Sequence, residues 1–362
     1  MDGGAVVHVG LAKAPYDITV KPGLLGEIGP ILAGLVPARR VAVVTDSHVD
    51  PILLPAVQKS LEQAGFEVIT AAIPAGEAHK TLAHVSPIYD RLLSARIERS
   101  TPLIALGGGV VGDMAGFVAA TVLRGVPFVQ APTTLLAMVD ASIGGKTGVD
   151  HAMGKNLIGA FYQPIAVLCD PQALRTLPPA QFRNGLAECI KHDLIRDKKG
   201  FARLETEMDS ILKLEMDDLT ELIAHNAAIK AAVVKSDPLE KGKRAHLNFG
   251  HTFGHAIESA SGFTYGHGEA VALGMTAATY VSRKLGTIDQ SDRQRIIAII
   301  QKAGLPTSGL TVPTAQVIEA MQSDKKVKEG RIRLVLLDGI GKASLRDDVP
   351  PDLMRQAIES LR

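Results

Sequence analysis

The sequence predicts an α/β protein in two parts: a parallel-sheet α/β domain over residues 1–175 and a mainly α-helical domain over 176–362. Three observations carry this. The first half alternates short β-branched runs with helical patterns, the alternation that builds a parallel sheet covered by helices. From about residue 180 to 325 the segments become long and helical, with few strand signals. Pro171, Pro178 and Pro179 punctuate the change. A length of 362 residues also fits two domains better than one.

In chain order, "RRVAVVTD" reads as a buried strand, "PILLPAVQKSLEQAGF" as a helix and "FEVITAAI" as a strand. "TLAHVSPIYDRLLSARI" is a helix, "TPLIALGGG" a strand and "DMAGFVAATVL" a helix. "VPFVQAPTT" and "PIAVLCD" complete the strands, and a late "RIRLVLLDGIGKASLRDD" reads as a small hairpin attached to the helical part. Hydrophobic residues make up 46%, ample for two cores. The 39 Lys and Arg nearly balance the 38 Asp and Glu, so no global field favours nucleic acid or an anionic membrane. Recognition of phosphate or carboxylate must then come from local cations. Only Cys169 and Cys189 occur, which argues against a disulfide framework and fits a reducing cytoplasm. The N-terminus lacks the pattern of a signal peptide. The most apolar region, 102–123, is interrupted by Gly107–Gly109, Gly112 and Asp113, against a membrane span.

Gly107-x-Gly109-x-x-Gly112 stands directly after a strand and before a helix, the setting of a dinucleotide fingerprint, where helix N-terminal amides receive a pyrophosphate. Two details depart from the ordinary pattern. The loop follows a middle strand, and no acid ends the next one. The acid in the right setting is Asp46, at the end of "VAVVTD", and Asp113 sits beside the loop. A bare tight turn with helix–strand packing is the alternative. "SIGGKTG" superficially suggests a phosphate loop, but Asp140 stands where its first glycine is required. Lys146 remains a point charge for a phosphate and, with Lys155 and Asn156, forms a polar cluster flanked by glycines.

Metal-ligand candidates are His251, His255, His267 and, in "GLAECIKHDLI", Glu188 and His192. A carboxylate with two imidazoles and an open position is a catalytic zinc arrangement. Spacing alone favours the i, i+4 pairs Glu188/His192 and His251/His255 and does not choose among the four histidines.

The stretches "ALGGGVVGDMAGFVAATVLRGVPFVQAPTTLLAMVDASIGGKTGVDHAMGKNLIGAFYQP", "LAECIKHDLI", "LNFGHTFGHAIE", "GHGEAVALGM" and "DKK" occur in that order. They resemble the 3-dehydroquinate synthase family of sugar-phosphate cyclases across nearly the whole chain. The resemblance implies an N-terminal NAD-binding domain and a C-terminal metal-binding domain, with Zn²⁺ or Co²⁺ held by Glu188, His251 and His267. His255 then turns to the substrate, and His192 is not a ligand. It also implies the reaction: 3-deoxy-D-arabino-heptulosonate 7-phosphate is cyclised to 3-dehydroquinate with loss of phosphate. A ring hydroxyl is transiently oxidised against NAD, which acidifies the neighbouring C–H for elimination. The hydride returns, the ring opens, and an intramolecular aldol closes the carbocycle.

By the same resemblance, cofactor contacts fall on Asp46, Glu77, Lys80, Gly108, Gly109, Asp113, Thr133, Thr134, Lys155 and Thr176. Substrate contacts fall on Asp140, Lys146, Asn156, Lys191, Lys230, Arg244, Asn248, His255 and Lys325 of the pair Lys325/Lys326. Glu240 supports this network, and Arg124 is lent across the interface of a homodimer. Pro238 stands where the family commonly has an acid, and Cys189 and His192 also depart from its commonest residues. Relatives acting on sedoheptulose 7-phosphate or glucose 6-phosphate share most motifs, but those substrates carry no carboxylate. Lys230 and Arg244 suit one, and their joint presence favours the dehydroquinate product. A metal-dependent polyol dehydrogenase would release reduced cofactor and need no phosphate cluster. A non-catalytic NAD-binding regulator would have no use for Glu188, His251 and His267.

Overall fold

A computed structural model describes residues 4–237, 243–323 and 332–362. The chain divides into two compact units, the first Met1–Pro178 with Met216–Lys235, the second Pro179–Glu215 with Ser236–Arg362. The single division expected at 175/176 takes no account of the long helix within 216–236, whose partners lie in the first unit.

The first unit is built on β1 (Ala5–Val9), β2 (Tyr16–Val20), β3 (Arg40–Asp46), β4 (Glu67–Ile73), β5 (Leu103–Gly107), β6 (Phe128–Pro132), β7 (Lys146–His151), β8 (Gly154–Phe161) and β9 (Ala166–Cys169). Seven of these form one sheet in the order β1-β2-β9-β6-β5-β3-β4, parallel throughout except for the antiparallel β1–β2 pair. The central strands β5, β6 and β9 are buried at every residue, which is why β5 and β9 read as continuous apolar runs and β6 as one broken only by Gln130. Helices α1 (Ile28–Leu35), α2 (Asp50–Gln63), α3 (Leu82–Ser94) and α4 (Gly109–Thr121) complete the N-terminal part. Val85, Ile88 and Leu92 of α3 meet Val111, Met114 and Val118 of α4 in one core cluster with β3 and β5.

From β3 the chain steps to β4 on one side, then returns to β5 on the other. The order therefore reverses between β3 and β5. In open parallel sheets, ligands bind outside the carboxyl ends of strands at such a switch point. Two elements had no counterpart in the sequence reading. The chain starts with the β1–β2 hairpin, and the "SIGGKTG" region is the start of a β7–β8 hairpin. That hairpin packs closely on α4: a Cβ on Gly116 would sit 2.4 Å from Thr147 Cγ2.

The second unit holds α5 (Pro179–Arg196), α6 (Lys198–Leu212), α8 (His251–Ala260), α9 (His267–Lys284), α10 (Gln290–Lys302), α11 (Thr314–Ser323) and α12 (Pro351–Glu359), while α7 (Met216–Ser236) belongs with the first. The expected late hairpin is β10 (Leu334–Leu337) paired with β11 (Ala343–Arg346). Glycines let three helices approach to backbone contact. A Cβ on Gly274 of α9 would lie 2.0 Å from the Gly250 carbonyl oxygen beside α8, and one on Gly268 would lie 2.4 Å from Asn184 Cα of α5. This crossing places the first residues of α8 and α9 over the middle of α5. Among the described residues, no helix is long and apolar enough to cross a membrane.

Candidate functional site

In the first unit, the glycine loop leaves β5 and Gly108 caps α4. Asp46 ends β3, the strand beside β5, so the acid missing from the next strand in sequence is supplied by the neighbouring strand in space. Its Oδ1 accepts the backbone N–H of His48 at 2.8 Å and of Val49 at 3.0 Å. Thr133 and Thr134 follow β6 on the other side of β5, and the Thr133 N–H donates to the Gly107 carbonyl at 2.9 Å. Asp46, Gly107–Gly109 and Thr133–Thr134 thus stand at the carboxyl ends of three adjacent parallel strands.

Lys80 joins this region to the β7–β8 hairpin. Its ammonium donates to Asp113 Oδ2 at 2.6 Å and to Asn156 Oδ1 at 2.5 Å, with the Lys80 residue only 4% exposed. Burial opposes the charge, but the Asp113 carboxylate outweighs it and holds Lys80 above its ordinary value. Asn156 has a left-handed backbone, φ 54°, which asparagine tolerates better than most side chains. Exposed Lys155 lies 3.6 Å from Glu77, and exposed Lys146 opens β7. Asp140 lies in a π-helical turn over Ala137–Ala141, a form found most often at functional sites. Lys230 of α7 donates to both its carboxylate and its carbonyl. Thr176 keeps its hydroxyl on the Ala173 carbonyl, 3.0 Å away. Arg124 is exposed in the turn after α4, where Leu123 and Arg124 both have positive φ, 50° and 67°.

In the second unit, Glu188, His251 and His267 place one ligand atom each within 4.8 Å of one another. They come from three helices: mid-α5, the first residue of α8 and the first residue of α9. Glu188 is 1% exposed, and buried Lys191 donates to its Oε2. Burial opposes its charge, but Lys191, His251 and His267 overcome this and hold the carboxyl well below its ordinary range. Among the described residues Oε1 takes no hydrogen bond; it lies 3.5 Å from His251 Nε2 and 3.7 Å from His267 Nε2. His251 Nδ1 lies 3.2 Å from the Phe249 carbonyl. Burial and the Lys191 cation lower His251 well below its ordinary value. A neutral ring with its proton on Nδ1 turns an Nε2 lone pair toward an anionic oxygen. Two electron-rich atoms facing each other in a buried place require a cation. Despite burial, Glu188 and Glu258 push the His267 imidazole up to about 10.

His255 lies one turn beyond His251, its ring 5.2 Å from that of His251, and lines a cavity of about 610 Å³ with Ser259, Gln316 and Glu319. His192 is fully buried and outside the Glu188–His251–His267 group. Arg244 is 3% exposed in the turn Lys243–Asn248, with its backbone N–H donating to Asp237 at 3.1 Å, and Asn248 ends the same turn. Pro238, Glu240, Lys325 and Lys326 lie outside the described residues. Glu258, the last residue of the stretch "LNFGHTFGHAIE" but given no role from the sequence, stands 3.5 Å from His267 Nδ1.

The family profile "3-dehydroquinate synthase N-terminal" matches residues 70–184, and "3-dehydroquinate synthase C-terminal" matches 185–327. A 3-dehydroquinate synthase from Acidithiobacillus ferrooxidans is 48% identical over 97% of each chain. The chain belongs to the 3-dehydroquinate synthase family. A 3-dehydroquinate synthase from Crocosphaera subtropica is 46% identical over 99% of each chain. Among solved members of related cyclase groups, 2-epi-5-epi-valiolone synthase from Streptomyces hygroscopicus subsp. jinggangensis, with NAD⁺ and Zn²⁺ bound, superposes with a TM-score of 0.89 at 28% identity. That alignment covers 97% of this chain and 98% of the other. A 2-deoxy-scyllo-inosose synthase complexed with carbaglucose-6-phosphate, NAD⁺ and Co²⁺ gives 0.88 at 26% identity, over 99% and 100% of the two chains. The family fold thus has the parallel sheet and helical unit that the sequence predicted.

Proposed function

We propose that this chain converts 3-deoxy-D-arabino-heptulosonate 7-phosphate to 3-dehydroquinate and phosphate, a carbon–oxygen lyase reaction, as a cytoplasmic homodimer. The observation that carries the reading is the buried Glu188 Oε1 facing the His251 Nε2 lone pair at 3.5 Å, with His267 beside them. This donor set fits a divalent cation, and two imidazoles with one carboxylate suit Zn²⁺ or Co²⁺. The cations in the two cyclase relatives agree with this choice. NAD is assigned to the first unit, 1–175 in the main, where the switch point supports contacts from Asp46, Glu77, Lys80, Gly108, Gly109, Asp113, Thr133, Thr134, Lys155 and Thr176. Residues 176–362 supply the metal ligands.

When bound, the dinucleotide takes up and returns a hydride, and the metal polarises the oxygen at that carbon. The chain's own residues bind and orient. Lys191 keeps Glu188 ionised by donating to Oε2, leaving Oε1 for the metal. Lys80 fixes Asn156 and Asp113 in one hydrogen-bonded unit. Lys146, Asn156, Asp140 and Lys230 on the first unit are assigned to substrate, as are Lys191, Asn248, His255 and Lys325 on the second. Buried Arg244 is assigned to the substrate carboxylate, which its planar fork can grip with two hydrogen bonds. Arg124 is assigned to the neighbouring subunit's substrate. The two successive left-handed residues at its turn are strain of the kind kept at functional positions.

The test is phosphate release from the heptulosonate phosphate, sedoheptulose 7-phosphate and glucose 6-phosphate, measured on one preparation. Release from the carboxylate substrate alone is expected. Faster release from sedoheptulose 7-phosphate would move the chain to the neighbouring cyclase group.

A further inference from the structure

We propose that Glu258 is a positioning residue for the metal group: its carboxylate accepts a hydrogen bond from the Nδ1–H of His267, which keeps the proton on Nδ1 and turns Nε2, as a lone-pair donor, toward Glu188. This rests on the metal reading above. Glu258 Oε1 is 3.5 Å from His267 Nδ1, while the opposite ring nitrogen is 3.7 Å from Glu188 Oε1. The ring therefore lies between two carboxylates, one on each nitrogen. His267 needs such a hold. It opens α9 after Gly266, and its side chain is 33% exposed, against 11% for His251. For His251 the same task falls to the Phe249 carbonyl, 3.2 Å from Nδ1. Each imidazole thus has its own acceptor behind it, which fixes tautomer and ring plane in metal-binding histidines.

Glu258 is itself well held. It is buried on α8, seven residues after His251 and three after His255, so all three side chains share one helix face. Its backbone carbonyl accepts the N–H of Phe263 at 2.8 Å and the hydroxyl of Ser261 at 2.9 Å. The loop leading to His267 is therefore folded onto the residue whose side chain meets the ring.

The test is Zn²⁺ affinity, by competition with a chromophoric chelator, and the visible spectrum of the Co²⁺-loaded full-length chain. Glu258→Ala should weaken Zn²⁺ binding by about 10- to 100-fold, the usual effect of removing a ligand's orienting partner. Glu258→Gln, which keeps an acceptor oxygen without the charge, should lose less and retain the Co²⁺ spectrum that Glu258→Ala alters. Should Glu258→Ala fail to fold, a measurable loss of affinity in Glu258→Gln decides the matter. Wild-type affinity and spectra in both variants would overturn the inference. So would Glu258→Ala behaving like His255→Ala, keeping metal while losing substrate, since the carboxylate would then serve His255. Failure of the wild-type chain to bind either metal would instead overturn the metal reading beneath it.

Discussion

Gly274→Ala is a demanding test of how the proposed metal group is built, because one methyl group acts on two of its proposed ligands at once. A Cβ at Gly274 would lie 2.0 Å from the Gly250 carbonyl oxygen and 2.8 Å from the Gly254 nitrogen. Carbon–oxygen contacts settle at about 3.3 Å or more, so α9 must withdraw from α8 by about 1 Å. Both obstacles are backbone, and neither can swing aside. The strain should cost about 1–3 kcal/mol or more, outweighing the roughly 1 kcal/mol by which alanine is otherwise preferred to glycine inside a helix. His251 follows Gly250 directly, and His267 lies two turns before Gly274 on the same helix. Metal–ligand distances tolerate only about ±0.2 Å, so a shift of this size should weaken Zn²⁺ binding by about tenfold or more. Denaturant unfolding and chelator competition on the purified variant measure both effects. Gly34→Ala is the control: it is helical and exposed, an added Cβ would meet nothing within 4 Å, and it should stabilise the chain by about 0.5–1 kcal/mol. If Gly274→Ala is as stable as wild type and binds Zn²⁺ as tightly, close packing of α8 on α9 does not set the ligand geometry.

Metal content should separate the neighbouring histidines: His267→Ala is expected to purify without metal, and His255→Ala to keep it while binding substrate poorly. A metal-free His255→Ala would restore the i, i+4 pairing as the ligand set. Lys80→Met leaves Asp113 buried without its cation, at a cost of about 1–3 kcal/mol once the carboxylate's 22% exposure is allowed for. Because the pair raises Lys80, its contribution is complete below the ordinary lysine value of about 10.4 and declines as pH rises through the higher folded value. The stability gap between wild type and Lys80→Met should therefore be flat from neutral to mildly alkaline pH, and a gap closing near neutrality would refute the pairing. Arg124→Ala and Glu188→Gln should each be nearly inactive alone. Co-expressed, they should recover roughly a quarter of normal activity, because half the two-fold dimers are mixed and each has one intact site. No recovery in a mixture shown to contain mixed dimers would mean that Arg124 serves its own chain.

Much of the sheet was legible because β3, β5, β6 and β9 are buried along most or all of their length and appear as largely apolar runs. The β1–β2 and β7–β8 hairpins were not. Leu157, exposed on β8, and the glycines at 148 and 159 break the alternation that would mark strands, and those glycines are there because the paired backbones leave no room for a Cβ. The long helical segments seen from about 180 to 325 carried no information about which unit α7 packs in. At the glycine loop the missing acid was a matter of topology: Asp46 is remote in sequence but one strand away in space. The metal group illustrates the same limit. Spacing detects groups on one helix face, as with His251 and His255. Glu188, His251 and His267 come from three helices, and only their packing brings them together.

A redox-neutral cyclisation is read directly from the phosphate released per NAD in the presence of the heptulosonate phosphate. With NAD far below substrate, many phosphates per NAD, 3-dehydroquinate in equal amount, and no net rise in NADH absorbance are expected. One NADH accumulating for each turnover, or phosphate release that stops once the NAD is reduced, would contradict it.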